Sequence, residues 1–351
     1  MKEIKAVLCG YYGKGNAGDE ALLASLLQML PPYVEPIVLS GNPRETSDRY
    51  GVESYNRMNP FSVIKILRQS DAFIWGGGSL MQDATSIRNP LYYGGLMALA
   101  QKMGLITIAL AQGIGPLKRK ISQSIAKNVL EKCYTVTVRD RASANLLFNW
   151  DISCITAPDL VWTLDSIPVK GLEDIEQPII AVTLRPHPQL TPQRLDHLTY
   201  ALIDLQKAIE CHILLVPFQI SQDLTIAQEI QSNLQGSNQI LCIEDPRELK
   251  GLFQYVDLAI GMRYHSLIMA ASAKCRCFAI SYDPKVTQLM QEIEMPGWEL
   301  SQIPDAPTII TETWLEYYHN SKSFEDEQIQ FLSNQALIHR DLLIESLLLL
   351  E

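Results

Sequence analysis

Residues 258–273 constrain the fold more tightly than any other stretch. In Leu-Ala-Ile-Gly-Met-Arg-Tyr-His-Ser-Leu-Ile-Met-Ala-Ala-Ser-Ala an apolar run stops at Gly261 and an apolar helix starts near Ser266. A strand entering a helix through so tight a turn belongs to an α/β sheet, and it sets the turn's side chains at the carboxyl edge, beside a positive helix N-terminus. That is where such sheets bind ligands. The turn carries Arg263, a guanidinium fork for a carboxylate or phosphate, and His265, which can hold or release a proton near neutral pH. It reads as an anion site with an acid beside it. The alternative is a capped helix whose histidine bonds to backbone.

The same strand-then-helix period runs through the whole chain. In the first half, apolar strands read at 5–10, 36–40, 71–75, 105–111 and 135–138. The run at 105–111 is continuous, as in a parallel sheet covered on both faces. A polar segment with two prolines at 164–178 marks a linker, after which strands read at 179–185, 212–217, 239–242, 258–261 and 277–281. Helices read between them at 192–210, 222–234 and 246–254. The expected fold is α/β, with two Rossmann-like doubly wound domains facing a cleft at 1–165 and 176–322. A C-terminal helix is expected over 323–351, with apolar residues at 329, 332, 336, 343, 347 and 350 packing back across the first domain. Its polar face is mostly acidic, unlike a membrane-surface helix.

At 351 residues, 47% hydrophobic, the chain can bury two cores. A formal net charge of −10 argues against a nucleic-acid surface, so an anionic ligand needs a local cationic pocket. The seven cysteines are scattered, without metal-ligand or Cys-x-x-Cys spacing, which is the habit of a reducing cytosol. The start, Met-Lys-Glu-Ile-Lys, leads straight into a strand without a secretory signal pattern, and no apolar run approaches a membrane span. A cytoplasmic protein is expected.

Several strand ends carry unusual loops. Gly13, Gly15 and Gly18 satisfy Gly-x-Gly-x-x-Gly between a strand and a helix. A dinucleotide is disfavoured, because strand two ends in Ser-Gly-Asn-Pro rather than in a ribose-gripping acid, and Asp19 and Glu20 would repel a pyrophosphate. A glycine turn that lets substrate approach the backbone, flanked by Asn16 and Asp19, is the preferred reading. After the strand at 71–75, Gly76, Gly77 and Gly78 expose backbone N–H groups, Ser79 is placed to cap the next helix, and Asp83 serves either a sugar hydroxyl or loop backbone. Gln112 ends the strand at 105–111. Arg139 and Asp140 follow the strand at 135–138, where an ion pair fixing a helix start is the alternative to a ligand role. In the second half Arg185, Phe218 with Gln219, Arg263 with His265, and Lys285 all fall at one carboxyl edge. Three cations there are what a small di- or trianion requires in an acidic protein.

Six segments together carry a resemblance: Gly10-Tyr-Tyr-Gly-Lys-Gly-Asn-Ala-Gly-Asp-Glu-Ala21, Gly76-Gly-Gly-Ser-Leu-Met-Gln-Asp83, Gln112-Gly-Ile-Gly-Pro116, Val138-Arg-Asp140, Gly261-Met-Arg-Tyr-His265 and Tyr282-Asp-Pro-Lys285. In order and over nearly the whole chain, they resemble the polysaccharide pyruvyl transferases, most closely the CsaB (cell-surface anchoring) type. Tyr264 is a departure, since relatives commonly carry leucine or another residue there. The resemblance implies a GT-B-like arrangement with its active site in the cleft. It also implies transfer of pyruvate from phosphoenolpyruvate to a sugar, closing a cyclic ketal across two hydroxyls and releasing phosphate. The acceptor would be a hexose or N-acetylhexosamine, often on a lipid-linked cell-wall precursor, with peripheral membrane contact through that acceptor. The family's donor-binding and catalytic positions fall on Arg139, Arg263, His265 and Lys285. The chemistry calls for no metal and no cofactor. Rival readings are a GT-B glycosyltransferase using a nucleotide sugar and a non-catalytic sugar-binding protein.

Overall fold

A computed structural model describes residues 3–84, 86–175 and 178–350. The chain divides into two compact units, one of residues 1–164 with 331–351 and the other of residues 165–330.

The first unit alternates strictly. Its elements are β1 (Ile4–Cys9), α1 (Ala17–Met29), β2 (Val34–Ser40), α2 (Pro43–Tyr50), β3 (Glu53–Asn56), α3 (Pro60–Leu67), β4 (Ala72–Met81), α4 (Arg88–Lys102), β5 (Ile106–Ile114), α5 (Lys120–Leu130), β6 (Thr135–Val138), α6 (Arg141–Phe148) and β7 (Ile155–Thr156). The seven strands pair in parallel in the order β3-β2-β1-β4-β5-β6-β7. Successive residues of β1, β4 and β5 are buried on both faces because helices cover both sides, which is why these strands are apolar runs rather than alternating ones. Val7, Leu39, Phe73, Trp75 and Met97 lie in the core. Each such side chain contributes roughly 1.5–3 kcal/mol by leaving water.

The second unit repeats the plan with β8 (Ile179–Thr183), α7 (Pro192–Ile209), β9 (His212–Leu215), α8 (Ile220–Asn233), β10 (Asn238–Ile240), α9 (Pro246–Leu252), β11 (Leu258–Gly261), α10 (Tyr264–Ser272), β12 (Arg276–Ser281), α11 (Pro284–Glu292), β13 (Gly297–Glu299) and α12 (Pro307–Asn320). Its parallel order, β10-β9-β8-β11-β12-β13, is that of the first unit without the last strand. In each sheet the strand order reverses beside the first strand, at β1/β4 and at β8/β11. That reversal is the ligand crevice of doubly wound folds.

Two expectations need correction. The glycine triplet does not end β4; the strand continues to Met81, pairing Gly78 with Gln112 and Met81 with Ile114 across a register shift. Gly77 and Gly78 take φ of +82° and +85°, which lets the strand bulge without leaving the ladder. The tail is not one helix but two, α13 (Asp326–Ala336) and α14 (Ile338–Leu348), joined at Leu337. α14 packs on β5 and β6. His339 on its first turn is fully buried, with Nε2 2.9 Å from the Pro158 carbonyl oxygen and Nδ1 2.8 Å from Thr137 Oγ1. A carbonyl can only accept, so Nε2 carries the hydrogen and Nδ1 accepts from the hydroxyl. Burial pushes this imidazole below its ordinary value.

Candidate functional site

At the carboxyl edge of the second sheet, adjacent strands each deliver a chemically active side chain. Arg185 and His187 follow β8, Phe218 and Gln219 follow β9, Arg263 and His265 follow β11, and Tyr282 and Lys285 follow β12. Gly261 permits the turn out of β11, since a Cβ there would lie 2.9 Å from both Leu267 Cδ2 and Thr183 Oγ1. The Thr183 and Ser266 hydroxyls, 2.7 Å apart and buried, tie the end of β8 to the first turn of α10. No side chain caps α10. Its leading amides therefore keep the partial positive charge of a helix N-terminus.

Arg263, the residue preceding α10, does not stand as a free fork. Its Nε and Nη2 donate to the Asp223 carboxylate at 3.0 and 2.5 Å, and both side chains are buried. The same carboxylate accepts the backbone N–H of Phe218 at 3.1 Å and of Gln219 at 2.9 Å. Asp223 thus fixes the plane of the guanidinium and stitches the β9 loop to the β11 turn. Among the described residues Nη1 of Arg263 has no protein partner. The sequence reading missed Asp223; its only signal was an acid in the first turn of the helix after β9.

Arg185 lies over Tyr282, with Cζ 4.8 Å from the ring centroid and Nη1 donating to the phenol oxygen at 3.0 Å. His187 packs on the other part of that cluster, 5.3 Å from the Tyr282 centroid. Its Nδ1 accepts from Gln189 N at 3.2 Å, and burial with the neighbouring Arg185 charge lowers its affinity for a proton. His265 stands on the first turn of α10 edge-on to Tyr264, at 5.1 Å. Lys285 sits in the first turn of α11, capped by Asp283, with its ammonium a long 3.9 Å from that carboxylate and both partly exposed. Such a pair holds the lysine weakly.

The first sheet's edge is of another kind, because its polar groups satisfy one another. Asn16 caps α1 by accepting from Gly18 N at 3.1 Å. The Gly13 amide, which in a phosphate-binding loop would face a ligand, donates to Glu20 Oε1 at 2.8 Å. Burial raises the Glu20 carboxyl above its ordinary value despite the Gly13 amide and the Arg49 charge. Gly13 is held at φ +66°, where a Cβ would collide with Ser40 Oγ at 2.0 Å, whereas Gly15 at φ +65° faces open space. Asp19 lies beside Gly78, whose added Cβ would stand 3.6 Å from its Oδ1. Arg57, buried, donates to Gly10 O at 2.9 Å and to Tyr93 Oη at 2.9 Å, with the Tyr92 and Tyr93 rings 4.7 and 5.2 Å away. This cluster fixes the start of the glycine loop.

Ser79, expected to cap a helix, instead meets Arg139 Nη2 at 2.9 Å. Arg139 also donates from Nη1 to Asp159 at 2.7 Å in a buried pair, while Asp140 caps α6 through Ser143 N. Asp83 is turned to loop backbone and accepts Lys118 N at 2.6 Å and Arg119 N at 2.9 Å. Burial opposes its ionisation, but those amides and the Arg119 charge outweigh it and hold the carboxyl below its ordinary value. Gln112 is buried at the end of β5, with its amide donating to Leu110 O.

Solved structures share this architecture. The UDP-GlcNAc 2-epimerase of Neisseria meningitidis, bound to UDP-GlcNAc, aligns with a TM-score of 0.67 at 11% identity over 97% of this chain and 100% of that one. A glycosyltransferase from Rickettsia africae ESF-5 gives 0.62 at 15% over 100% and 99%, and MurG of Acinetobacter baumannii 0.51 at 12% over 96% and 95%. The likeness is one of fold: two parallel-sheet α/β domains of the Rossmann-like GT-B type. No curated protein sequence matches the chain significantly. The family profile described as polysaccharide pyruvyl transferase matches residues 16–284. The chain belongs to the polysaccharide pyruvyl transferase family. The match to that family takes in Asn16, Ser79, Asp83, Gln112, Arg139, Arg185, Arg263 and His265, and ends one residue before Lys285. Among the described residues, no helix of this pyruvyl transferase is long and apolar enough to cross a membrane.

Proposed function

We propose that the enzyme takes phosphoenolpyruvate as donor and builds a cyclic pyruvate ketal on a sugar of a surface polysaccharide precursor, as in the CsaB type. The observation that carries this reading is the second sheet's edge, where Arg185, Arg263 with His265, and Lys285 follow the ends of the adjacent strands β8, β11 and β12, and α10 starts without a side-chain cap. A donor with a carboxylate and a phosphate matches that charge.

The steps need only groups of this kind. His265 as imidazolium gives its proton to the methylene carbon of the enol, making the methyl group and leaving the central carbon oxocarbenium-like. One sugar hydroxyl adds to that carbon and loses its proton. The carbon–oxygen bond to phosphate breaks, phosphate leaves on the cationic edge, and a second hydroxyl adds in its place with loss of its own proton. The sum is donor plus diol giving ketal plus inorganic phosphate. Arg263 Nη1 and Lys285 hold the donor's anionic groups. Arg185, planed by Tyr282, borders them, and Asp223 is a positioning residue acting through Arg263. In the first unit Arg139 holds Ser79 and Asp159 together.

The test is phosphate release from phosphoenolpyruvate across hexose and N-acetylhexosamine acceptors, beside thermal protection by phosphoenolpyruvate and by a nucleotide sugar. Acceptor-dependent release with protection by phosphoenolpyruvate is expected. Protection by the nucleotide sugar alone, without phosphate release, overturns the proposal in favour of a glycosyltransferase.

A further inference from the structure

α3 has two faces with opposite fates. Val63, Ile66 and Leu67 point inward and are buried. The other face holds Phe61, Ile64, Lys65 and Arg68, at the i, i+3, i+4 and i+7 spacing that lines up one side of a helix, and they border an open groove. Phe61 is 84% exposed and Met58, just before the helix, 68% exposed. A phenyl ring left that far in water has no folding role. Leu91, also exposed, opens α4, and the next residue, Tyr92, donates its hydroxyl to Arg57 O at 2.7 Å, tying that helix to the Met58 loop.

Charge says what covers this face. The protein carries a net −10, yet between Glu53 and Asp71 there is no acid, and Lys65 and Arg68 are exposed. Apolar tips at the leading end of a helix, with flexible cations a turn or two behind, match a bilayer interface, where the ring sinks to the acyl boundary and the long basic chains stay among phosphates. Protein interfaces favour Phe, Met and Arg but are depleted of lysine, so Lys65 points to lipid and a second copy is kept as an outcome of the test. We infer that the outer face of α3, with Met58 and Phe61 as the inserting tips and Lys65 and Arg68 as the headgroup contacts, docks this unit on an anionic lipid surface. This contact is made by the protein itself and stands whatever the acceptor or the reaction proves to be.

The experiment is co-sedimentation of the full chain with phosphatidylcholine vesicles, with and without phosphatidylglycerol. Binding is expected to the mixed vesicles and to fall with added salt. Met58→Ser with Phe61→Ser lowers the partition coefficient by about tenfold or more. Lys65→Gln and Arg68→Gln each lower it about fivefold, and all variants keep the wild-type thermal midpoint because these side chains are exposed. Wild type that fails to bind the mixed vesicles, or variants that bind as well as wild type, overturn the inference. So does a wild-type dimer that the Met58/Phe61 double variant converts to monomer, which would assign the face to a second copy of the chain.

Discussion

The two sheets share a strand order and differ in what their edges want. At β1/β4 the exposed ends are organised by carboxylates, with Asp19 and Glu20 in the first turn of α1 and the Gly13 amide already spent on Glu20. At β8/β11 the corresponding helix, α10, has no acid in its first turn and no side-chain cap, and Arg185, Arg263 and Lys285 follow the ends of β8, β11 and β12. One topology thus carries two sheet edges of opposite charge character. A helix start filled from within repels an anion and leaves hydroxyl chemistry, while one left open invites a phosphate or carboxylate. Fold alone does not make a nucleotide site; the residues at the switch point decide.

The sharpest way to break this contrast is at His265. His265→Gln keeps the turn and its polar character but cannot deliver a proton. Phosphate release is expected to fall by about 10²–10⁴-fold, with phosphoenolpyruvate binding, read by thermal shift, changed only a few-fold. If binding falls as far as turnover, His265 is a phosphate ligand and the assignment as acid fails.

The next effect is on stability. Each unit holds a buried arginine against a buried aspartate, Arg263 with Asp223 and Arg139 with Asp159. Asp223→Ala strands a guanidinium and also abandons the Phe218 and Gln219 amides, so a loss of about 3–5 kcal/mol in urea unfolding is expected, with a similar loss for Asp159→Ala. Adding Arg263→Met to Asp223→Ala should recover part of that stability without restoring activity. A double variant no more stable than Asp223→Ala would mean that the aspartate matters for the loop amides and not for the arginine.

These pairs show where sequence reading ends. The alternation of strands and helices is a local signal, and so is the placing of Arg185, Arg263, His265 and Lys285 after strand ends, because each needs only its own strand and turn. The partner of Arg263 lies 40 residues away and that of Arg139 lies 20 away. No period in the chain points from one to the other. Gly76, Gly77 and Gly78 read as a break because glycine usually punctuates, whereas here the neighbouring β5 carries the strand through a bulge. Glu20 was legible as a charge hostile to pyrophosphate, but its bond to Gly13 appears only once the loop is folded back on α1.

Glu20 also gives the smallest and most specific test of the contrast. Its carboxyl is raised above 4.5 by burial, so the native state holds the proton to higher pH than the unfolded chain does. The stability from this group is complete below about 4.5 and is lost as pH rises through the native value. Gln at this position can still accept from the Gly13 amide through Oε1, and its Nε2 can donate to Tyr50 Oη, while removing the buried charge. Glu20→Gln should therefore flatten the decline in stability between pH 4.5 and neutrality, and at pH 7 it should be more stable than wild type. Protection by phosphoenolpyruvate should be unchanged if the donor sits on the second sheet as proposed. A variant less stable at every pH, with the wild-type slope intact, would show that the Arg49 charge and not desolvation governs this carboxylate, and that the first sheet's edge is held by ion pairing as the second's is.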